Sequence, residues 1–218
     1  MKYLLMCLCL LFDIVYISCK KRKRYLIGLI AKCLAAMCFI LIAYMANKES
    51  PSTFKYYILI GLVLDGIGDL FLALRNLLLK NVMFFAGAIA FLLGHITYIR
   101  ALFLINNDYR IECIIFAVIL GAILFMVMDN ACRIPKPIRY VGIVYCIMIV
   151  MMACFAVGVY ITYKSSSNLV FMLGALLFVS SDCILFLDNF SRGESWMHPV
   201  YSLLYFLGQI LISFSLHL

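Results

Sequence analysis

Two aspartates lie deep inside apolar stretches of this 218-residue chain, and their type and position suit them to chemistry. Asp69 lies in GLVLDGIGDLFLAL and Asp182 lies in GALLFVSSDCILFL. Each follows a glycine by eight residues, Gly61 in the first stretch and Gly174 in the second. Carboxylates inside a bilayer are rare and costly, so they usually mark a functional site. A pair of them in one site predicts acid–base chemistry.

Other polar side chains lie in the same apolar runs. Apolar surroundings and a neighbouring carboxylate disfavour the charged form of a carboxyl group, whereas an ammonium favours it. One acid is then protonated at neutral pH while the other is ionised, as in enzymes that cleave acetals through an oxocarbenium ion. The alternative is a buried Lys–Asp pair that only ties helices together. The candidate catalytic residues are Asp69 and Asp182, and the candidate supporting or substrate-binding residues are Lys32, Asp65, His95, Tyr145, Ser181, Tyr205 and Gln209.

Metal chemistry is not predicted. Of the three histidines, His95 alone lies inside an apolar run, and one imidazole with scattered acids is a poor zinc ligand set. Most of the ten cysteines lie in apolar runs, where a thiol behaves as a small hydrophobic group. We therefore expect no metal and no other cofactor. For His95 we expect a hydrogen-bonding or substrate-positioning role, or else a packing role.

The composition defines the elements that must position these residues. Hydrophobic residues make up 67% of the chain and charged residues 13%, which is typical of a polytopic membrane protein. Apolar runs of this length cross about 30 Å of hydrocarbon as helices. We predict an all-α bundle of eight transmembrane helices, forming a single integral membrane domain over residues 1–218. The runs lie near 2–19, 25–46, 55–75, 82–104, 111–128, 139–162, 168–188 and 198–217.

Basic residues predict the orientation of this bundle. One side of the predicted membrane carries Lys20, Lys21, Arg22, Lys23, Arg24, Arg75, Lys80, Arg133, Lys136, Arg139 and Arg192. The other side carries Lys2, Lys48, Lys55, Arg100, Arg110 and Lys164. The positive-inside rule makes the first side cytoplasmic and places both termini outside, in a bacterial cytoplasmic membrane. The net charge of +8 is then a topology signal with some attraction to anionic lipid, and no nucleic-acid partner is predicted.

An internal repeat relates the two halves of the chain. A shift of 113 residues takes Asp69 to Asp182 and Lys32 to Tyr145. A shift of 114 residues takes Gly94 and His95 to Gly208 and Gln209. These matches predict a parallel 4+4 repeat with a shared polar cavity at the interface between the halves. Coincidence in a sequence rich in Gly, Leu and Phe is the alternative.

Four motifs in order along the chain carry a family resemblance: GLVLDGIGDLFL, FFAGAIAFLLGHITY, GALLFVSSDCILFL and YFLGQILIS. Together they resemble the YhhN family of membrane proteins, whose characterised members are lysoplasmalogenases. The resemblance implies Asp69 as the acid of the family's GD motif, Asp182 as that of its SD motif, and Lys32 as the lysine of the second helix. Two departures stand out: Lys32 is followed by Cys33 instead of proline, and Asp65 replaces a small residue.

The activity implied by the resemblance is hydrolysis of the vinyl ether bond of lysoplasmalogen to a fatty aldehyde and a glycerophospho-alcohol. One carboxylic acid protonates the enol ether, and the second carboxylate stabilises the cation and activates water. Asp65 beside Asp69 favours Asp69 as the protonated acid. The expected partners are a lysophospholipid substrate and membrane lipid, and the oligomeric state stays open. We expect the lipid headgroup to face Arg75, Arg133, Lys136 or Arg139.

Two other classes of protein fit the same pattern. A bundle with parallel repeats and buried acids also describes a small proton-coupled transporter. A lipid-binding or sensor protein without catalysis is the third possibility. Transport predicts flux without chemical change, whereas catalysis predicts release of aldehyde in detergent.

Overall fold

Each long apolar run forms a helix in the computed structural model, because a helix satisfies its own backbone hydrogen bonds in lipid. The structure describes residues 1–78, 81–105, 108–132, 136–191 and 193–218, with only the backbone at residues 81 and 136–138. The helices are α1 (Lys2–Lys21), α2 (Tyr25–Glu49), α3 (Thr53–Leu78), α4 (Asn81–Leu104), α5 (Arg110–Ala131), α6 (Lys136–Tyr163), α7 (Ser166–Phe190) and α8 (Met197–Ser215).

The predicted fold class is confirmed. Eight helices in the described part of the chain are long and apolar enough to cross a membrane. Each predicted run overlaps one of them, and most helices extend a few residues beyond their run. In α3, for example, the helix covers Thr53–Leu78, whereas the run covers residues 55–75. At several ends the extra residues are polar, such as Asn47, Lys48 and Glu49 of α2, and hydropathy alone does not assign them to a helix.

Helix packing follows the predicted repeat. In the first half α1 packs against α2 and α3 against α4, and in the second half α5 packs against α6 and α7 against α8. The halves meet in two equivalent contacts, α4 against α6 and α8 against α2, and α8 also contacts α1 and α3. Most helix pairs therefore recur in the other half, as a parallel repeat predicts, whereas the contacts of α8 with α1 and α3 have no counterpart at α4 among the described residues.

Paired glycines bring α3 close to α4, and α7 close to α8. A Cβ atom at Gly94 would lie 3.3 Å from the carbonyl oxygen of Gly61, and one at Gly208 would lie 2.9 Å from that of Gly174. Small residues allow such close helix approach within a membrane. Gly61 and Gly174 each lie eight residues, just over two helical turns, before the aspartate of their helix, so the crossings hold the aspartate-bearing helices α3 and α7 against α4 and α8.

One end of the bundle, which we call the basic end, is where α1, α3, α5 and α7 finish and the even-numbered helices begin. Lys20 and Arg75 lie at this end. Of the other basic residues predicted on this side, Lys80, Arg133 and Arg192 lie outside the described residues, as does the side chain of Lys136. The assignment of this end to the cytoplasm stays a prediction.

Candidate active site

Asp69 lies next to a buried ammonium. The Nζ atom of Lys32, on α2, is 3.1 Å from Asp69 Oδ1, and the two side chains are only 6% and 1% exposed. The ammonium also lies over the ring of Tyr16, 5.1 Å from its centroid. Tyr205 of α8 interacts with the same carboxylate. Lys32 and Tyr205 thus approach Asp69 from two different helices, α2 and α8.

Asp182 has a different donor. The hydroxyl of Tyr145, on α6, donates a hydrogen bond to Asp182 Oδ2. His95 approaches the same oxygen from α4, with its Nε2 atom 3.9 Å away. The imidazole is fully buried against Phe178, and within the described part of the chain neither ring nitrogen has a hydrogen-bond partner. Asp182 is thus the less enclosed acid, with a side chain 10% exposed.

Asp65 is fully buried between the two halves. Its Oδ2 atom accepts one hydrogen bond from the Tyr98 hydroxyl, at 2.6 Å, and one from Gln209 Nε2, at 2.7 Å. A Cβ atom at Gly94 would lie only 2.5 Å from Asp65 Oδ1, so this position of α4 requires glycine. The two donors come from α4 and α8, and Asp65 therefore ties α3 to a helix of each half.

Two cavities approach these acids from different sides. A polar cavity of about 350 Å³ lies at the basic end and reaches Lys32. Its other lining residues are Tyr16, Lys20, Tyr25, Leu72, Arg75, Asn76, Leu185, Asp188, Asn189 and Tyr201. An apolar groove of about 70 Å³ reaches Asp182 and Tyr145 and is lined largely by phenylalanines of α4 and α7. Leu72 and Leu185 line both, so these two leucines separate the polar cavity from the apolar groove.

The structure brings most predicted site residues together, with one exception. Lys32, Asp65, His95, Tyr145, Tyr205 and Gln209 surround the two aspartates as described above. The Ser181 hydroxyl instead donates a hydrogen bond of 2.9 Å to the Tyr201 backbone oxygen. Although Ser181 precedes Asp182 in sequence, successive helical residues point about 100° apart. Ser181 therefore joins α7 to α8, and we assign it no part in substrate binding.

One buried acid escaped the sequence prediction. Asp13 of α1 is fully buried and accepts a hydrogen bond from the Ser202 hydroxyl of α8, at 2.5 Å. It also interacts electrostatically with Lys32 and Asp69. The rule that singled out Asp69 applies equally to an aspartate in LCLLFDIVYI, so the signal was present in the sequence.

The fold is that of an integral membrane protein, with a cluster of carboxylates enclosed among its apolar helices. The YhhN family model matches residues 27–216, and the chain belongs to the YhhN family. The resemblance carried by the sequence motifs is thereby confirmed. No curated protein and no solved structure matches the sequence significantly.

Proposed function

We propose that this protein hydrolyses the vinyl ether bond of lysoplasmalogens. The observation that carries the proposal is that the polar cavity and the apolar groove share Leu72 and Leu185, which follow Asp69 and Asp182 by three residues each. The polar cavity reaches Lys32, whose ammonium contacts Asp69, and the apolar groove reaches Asp182. Membership of the YhhN family is consistent with a hydrolase of this kind.

A single-chain lipid matches the polarity of these two spaces. Its hydrocarbon chain suits the groove lined by Phe84, Phe85 and Phe91, because burying apolar surface is favourable. Its glycerol and headgroup suit the polar cavity. The vinyl ether joins chain to glycerol, so it falls near Leu72 and Leu185, where the two spaces meet. The cleavable bond of the lipid is then about one helical turn from Asp69 along α3 and from Asp182 along α7.

The orientation of the lipid suggests which aspartate is the general acid and which is the base. The vinyl carbon that carries the alkyl chain faces the groove and hence Asp182, and the carbon bonded to oxygen faces Asp69. The ammonium of Lys32 favours the ionised form of Asp69, whereas Tyr145 brings no charge to Asp182. We therefore assign Asp182 as the general acid and Asp69 as the base. This reverses the role that the neighbouring Asp65 suggested for Asp69 in the sequence.

The steps balance with these two groups. The Asp182 carboxylic acid gives its proton to the chain-bearing vinyl carbon, leaving an oxocarbenium ion that the Asp69 carboxylate stabilises. Water adds to the cationic carbon and passes a proton to Asp69, giving a hemiacetal. Asp69 returns that proton to the ether oxygen as the carbon–oxygen bond breaks, and the hemiacetal hydroxyl proton goes to Asp182. Aldehyde and glycerophospho-alcohol leave, and both acids regain their starting states.

The test is release of aldehyde by purified protein in detergent. Lysoplasmalogen is incubated with the protein, and mass spectrometry follows fatty aldehyde and glycerophospho-alcohol. The matched control is the saturated-ether lysolipid, which has no vinyl group to protonate and must stay intact. Equal amounts of aldehyde and alcohol support the proposal. Intact substrate at every pH tested would contradict it, and flux of lysolipid across proteoliposomes without cleavage would favour the transporter.

A further inference from the structure

The outer part of the polar cavity carries charges that the proposed chemistry does not use. Lys20 of α1, Arg75 of α3 and Asp188 of α7 are all half-buried and line this space. Lys20 Nζ donates a hydrogen bond of 3.1 Å to the Tyr201 hydroxyl. Arg75 donates a hydrogen bond to Asn189 and lies 4.9 Å from the centroid of the Phe84 ring. Each cation is thus held in place by uncharged neighbours. Neither lies within 4 Å of a carboxylate in the described part of the chain.

The repeat arranges these charges in a definite way. Along α3, Asp69, Leu72 and Arg75 follow one another at intervals of three residues. The same shift of 113 residues takes them to Asp182, Leu185 and Asp188 of α7. Residues three apart are neighbours on a helix surface. Each half therefore presents an acid, then a leucine, then a charged residue at the mouth of the cavity.

The outermost pair breaks the symmetry in sign, because Arg75 is positive where Asp188 is negative. Asp188 interacts electrostatically with Lys20 and Arg75, so the three charges are close enough to act on the same bound group. Lys32 is paired with Asp69 deeper in the cavity, so the described lining of the mouth holds two cations and one anion. A zwitterionic ligand, which carries both a negative and a positive group, complements these three charges better than a simple anion does.

We propose that the mouth of the polar cavity binds the zwitterionic headgroup of the lysolipid, with phosphate on Arg75 and Lys20 and the ammonium group on Asp188. Guanidinium and ammonium groups form charge-assisted hydrogen bonds with phosphate. Arg75 lies six residues from Asp69, about 9 Å along α3, a span that the glycerol and the arginine side chain together cover. This inference rests on the proposed function for its choice of ligand.

Of the other cations expected to meet the headgroup, Arg133 and the side chain of Lys136 lie outside the described residues, and Arg139 does not compete for this role. Arg139 lies 3.0 Å from Asp129, with a side chain 48% exposed, and does not line the cavity. Lys21 and Arg24 are exposed neighbours of the cavity residues at the same end of the bundle. They provide matched controls: Lys21 for Lys20, and Arg24 for Arg75.

The experiment measures equilibrium binding of a saturated-ether lysophosphocholine to the full chain in detergent. We expect Arg75→Gln and Lys20→Gln each to weaken binding about ten-fold or more, because each loses a charge-assisted contact. Arg24→Gln and Lys21→Gln should bind as the wild type does. An alkylglycerol with the same chain and no phosphate should bind all five proteins equally, which verifies an intact groove. Equal lysophosphocholine affinity in all five would overturn the subsite.

Two further experiments test whether the variants fold and which anion the site binds. If Arg75→Gln also fails to bind alkylglycerol, the test uses Lys20→Gln and the charge-preserving Arg75→Lys instead. Arg75→Lys should restore much of the lysophosphocholine binding. Inorganic phosphate and soluble glycerophosphocholine are added as competitors. Displacement by glycerophosphocholine at concentrations where phosphate has no effect supports a lipid headgroup site. Equal displacement by both would show a free-phosphate site and overturn the proposal.

The role of Asp188 has a separate readout. Wild-type protein should prefer a saturated-ether lysophosphocholine over the corresponding lysophosphatidate, whose headgroup has no ammonium and more negative charge. Asp188→Asn should lower that preference several-fold, because an anion is removed from beside the extra charge. An unchanged ratio would remove Asp188 from the site.

The outcomes separate this inference from the proposed hydrolysis. A saturated ether cannot be cleaved by the proposed route, so binding is measured independently of catalysis. Aldehyde release with headgroup-independent binding would overturn the subsite and leave the hydrolase. Headgroup-dependent binding without aldehyde release would overturn the hydrolase and leave a lipid-binding site.

Discussion

Lys32 and Tyr145 occupy equivalent positions in the two halves of the bundle, and each contacts the aspartate of the following helix. Lys32 lies 3.1 Å from Asp69 across α2 and α3, and Tyr145 donates a hydrogen bond to Asp182 across α6 and α7. The repeat thus builds the same contact twice with different donors. An ammonium stabilises a carboxylate far more than a neutral phenol does. This difference carries the assignment of separate roles to Asp69 and Asp182.

Replacement of either aspartate tests the pair directly. We expect Asp69→Asn and Asp182→Asn each to lower turnover of lysoplasmalogen by on the order of 10²-fold or more, because each removes a group that transfers a proton. Asp129→Asn, which changes an aspartate of α5 away from both cavities, is the control and should keep normal turnover. Near-normal turnover of either test variant would remove that residue from the mechanism. Loss of extractable protein would instead favour a structural ion pair.

Lys32→Met tests how the ammonium acts. Without the positive charge the ionised form of Asp69 is less favoured, so the acid limb of the pH–rate profile should move to higher pH. Tyr145→Phe removes the equivalent donor without changing charge and should leave that limb closer to its normal position. The measurement is kcat/KM over pH for both variants.

Two other results would change the role of Lys32. A raised KM with an unchanged profile would mean that Lys32 binds the lipid phosphate directly. A variant unchanged in both KM and pH dependence would exclude Lys32 from the site.

How much the sequence predicts differs between these residues for a physical reason. Asp69 and Asp182 were identifiable because a charge in an apolar run is costly wherever the helix packs. The role of Leu72 and Leu185 was not, because a leucine in such a run is ordinary until tertiary packing puts a cavity on each side of it. Hydropathy and repeats thus predict the helices and their polar residues, whereas the cavities depend on how the helices cross.

Leu185→Trp tests the junction of the two cavities. Leu185 lines both, so a larger side chain there should obstruct the path of the vinyl ether and lower kcat/KM about ten-fold or more. The control is Leu176→Trp, on a half-exposed position of the same helix that lines neither space. Both variants are assayed for aldehyde release after matched thermal-stability measurements. Normal turnover of a folded Leu185→Trp protein would mean that substrate does not cross this junction.

Two exposed serines test the orientation from which the lipid enters. Ser166 begins α7 at the end opposite the basic end, and Ser195 lies just before α8 at the basic end. If the positive-inside rule orients the bundle, Ser166→Cys should react with an impermeant thiol reagent in intact cells, and Ser195→Cys should react only after permeabilisation. The parent protein gives the background from its own cysteines. The opposite labelling pattern would invert the bundle and open the polar cavity to the outer leaflet, so the lysolipid substrate would have to come from that side.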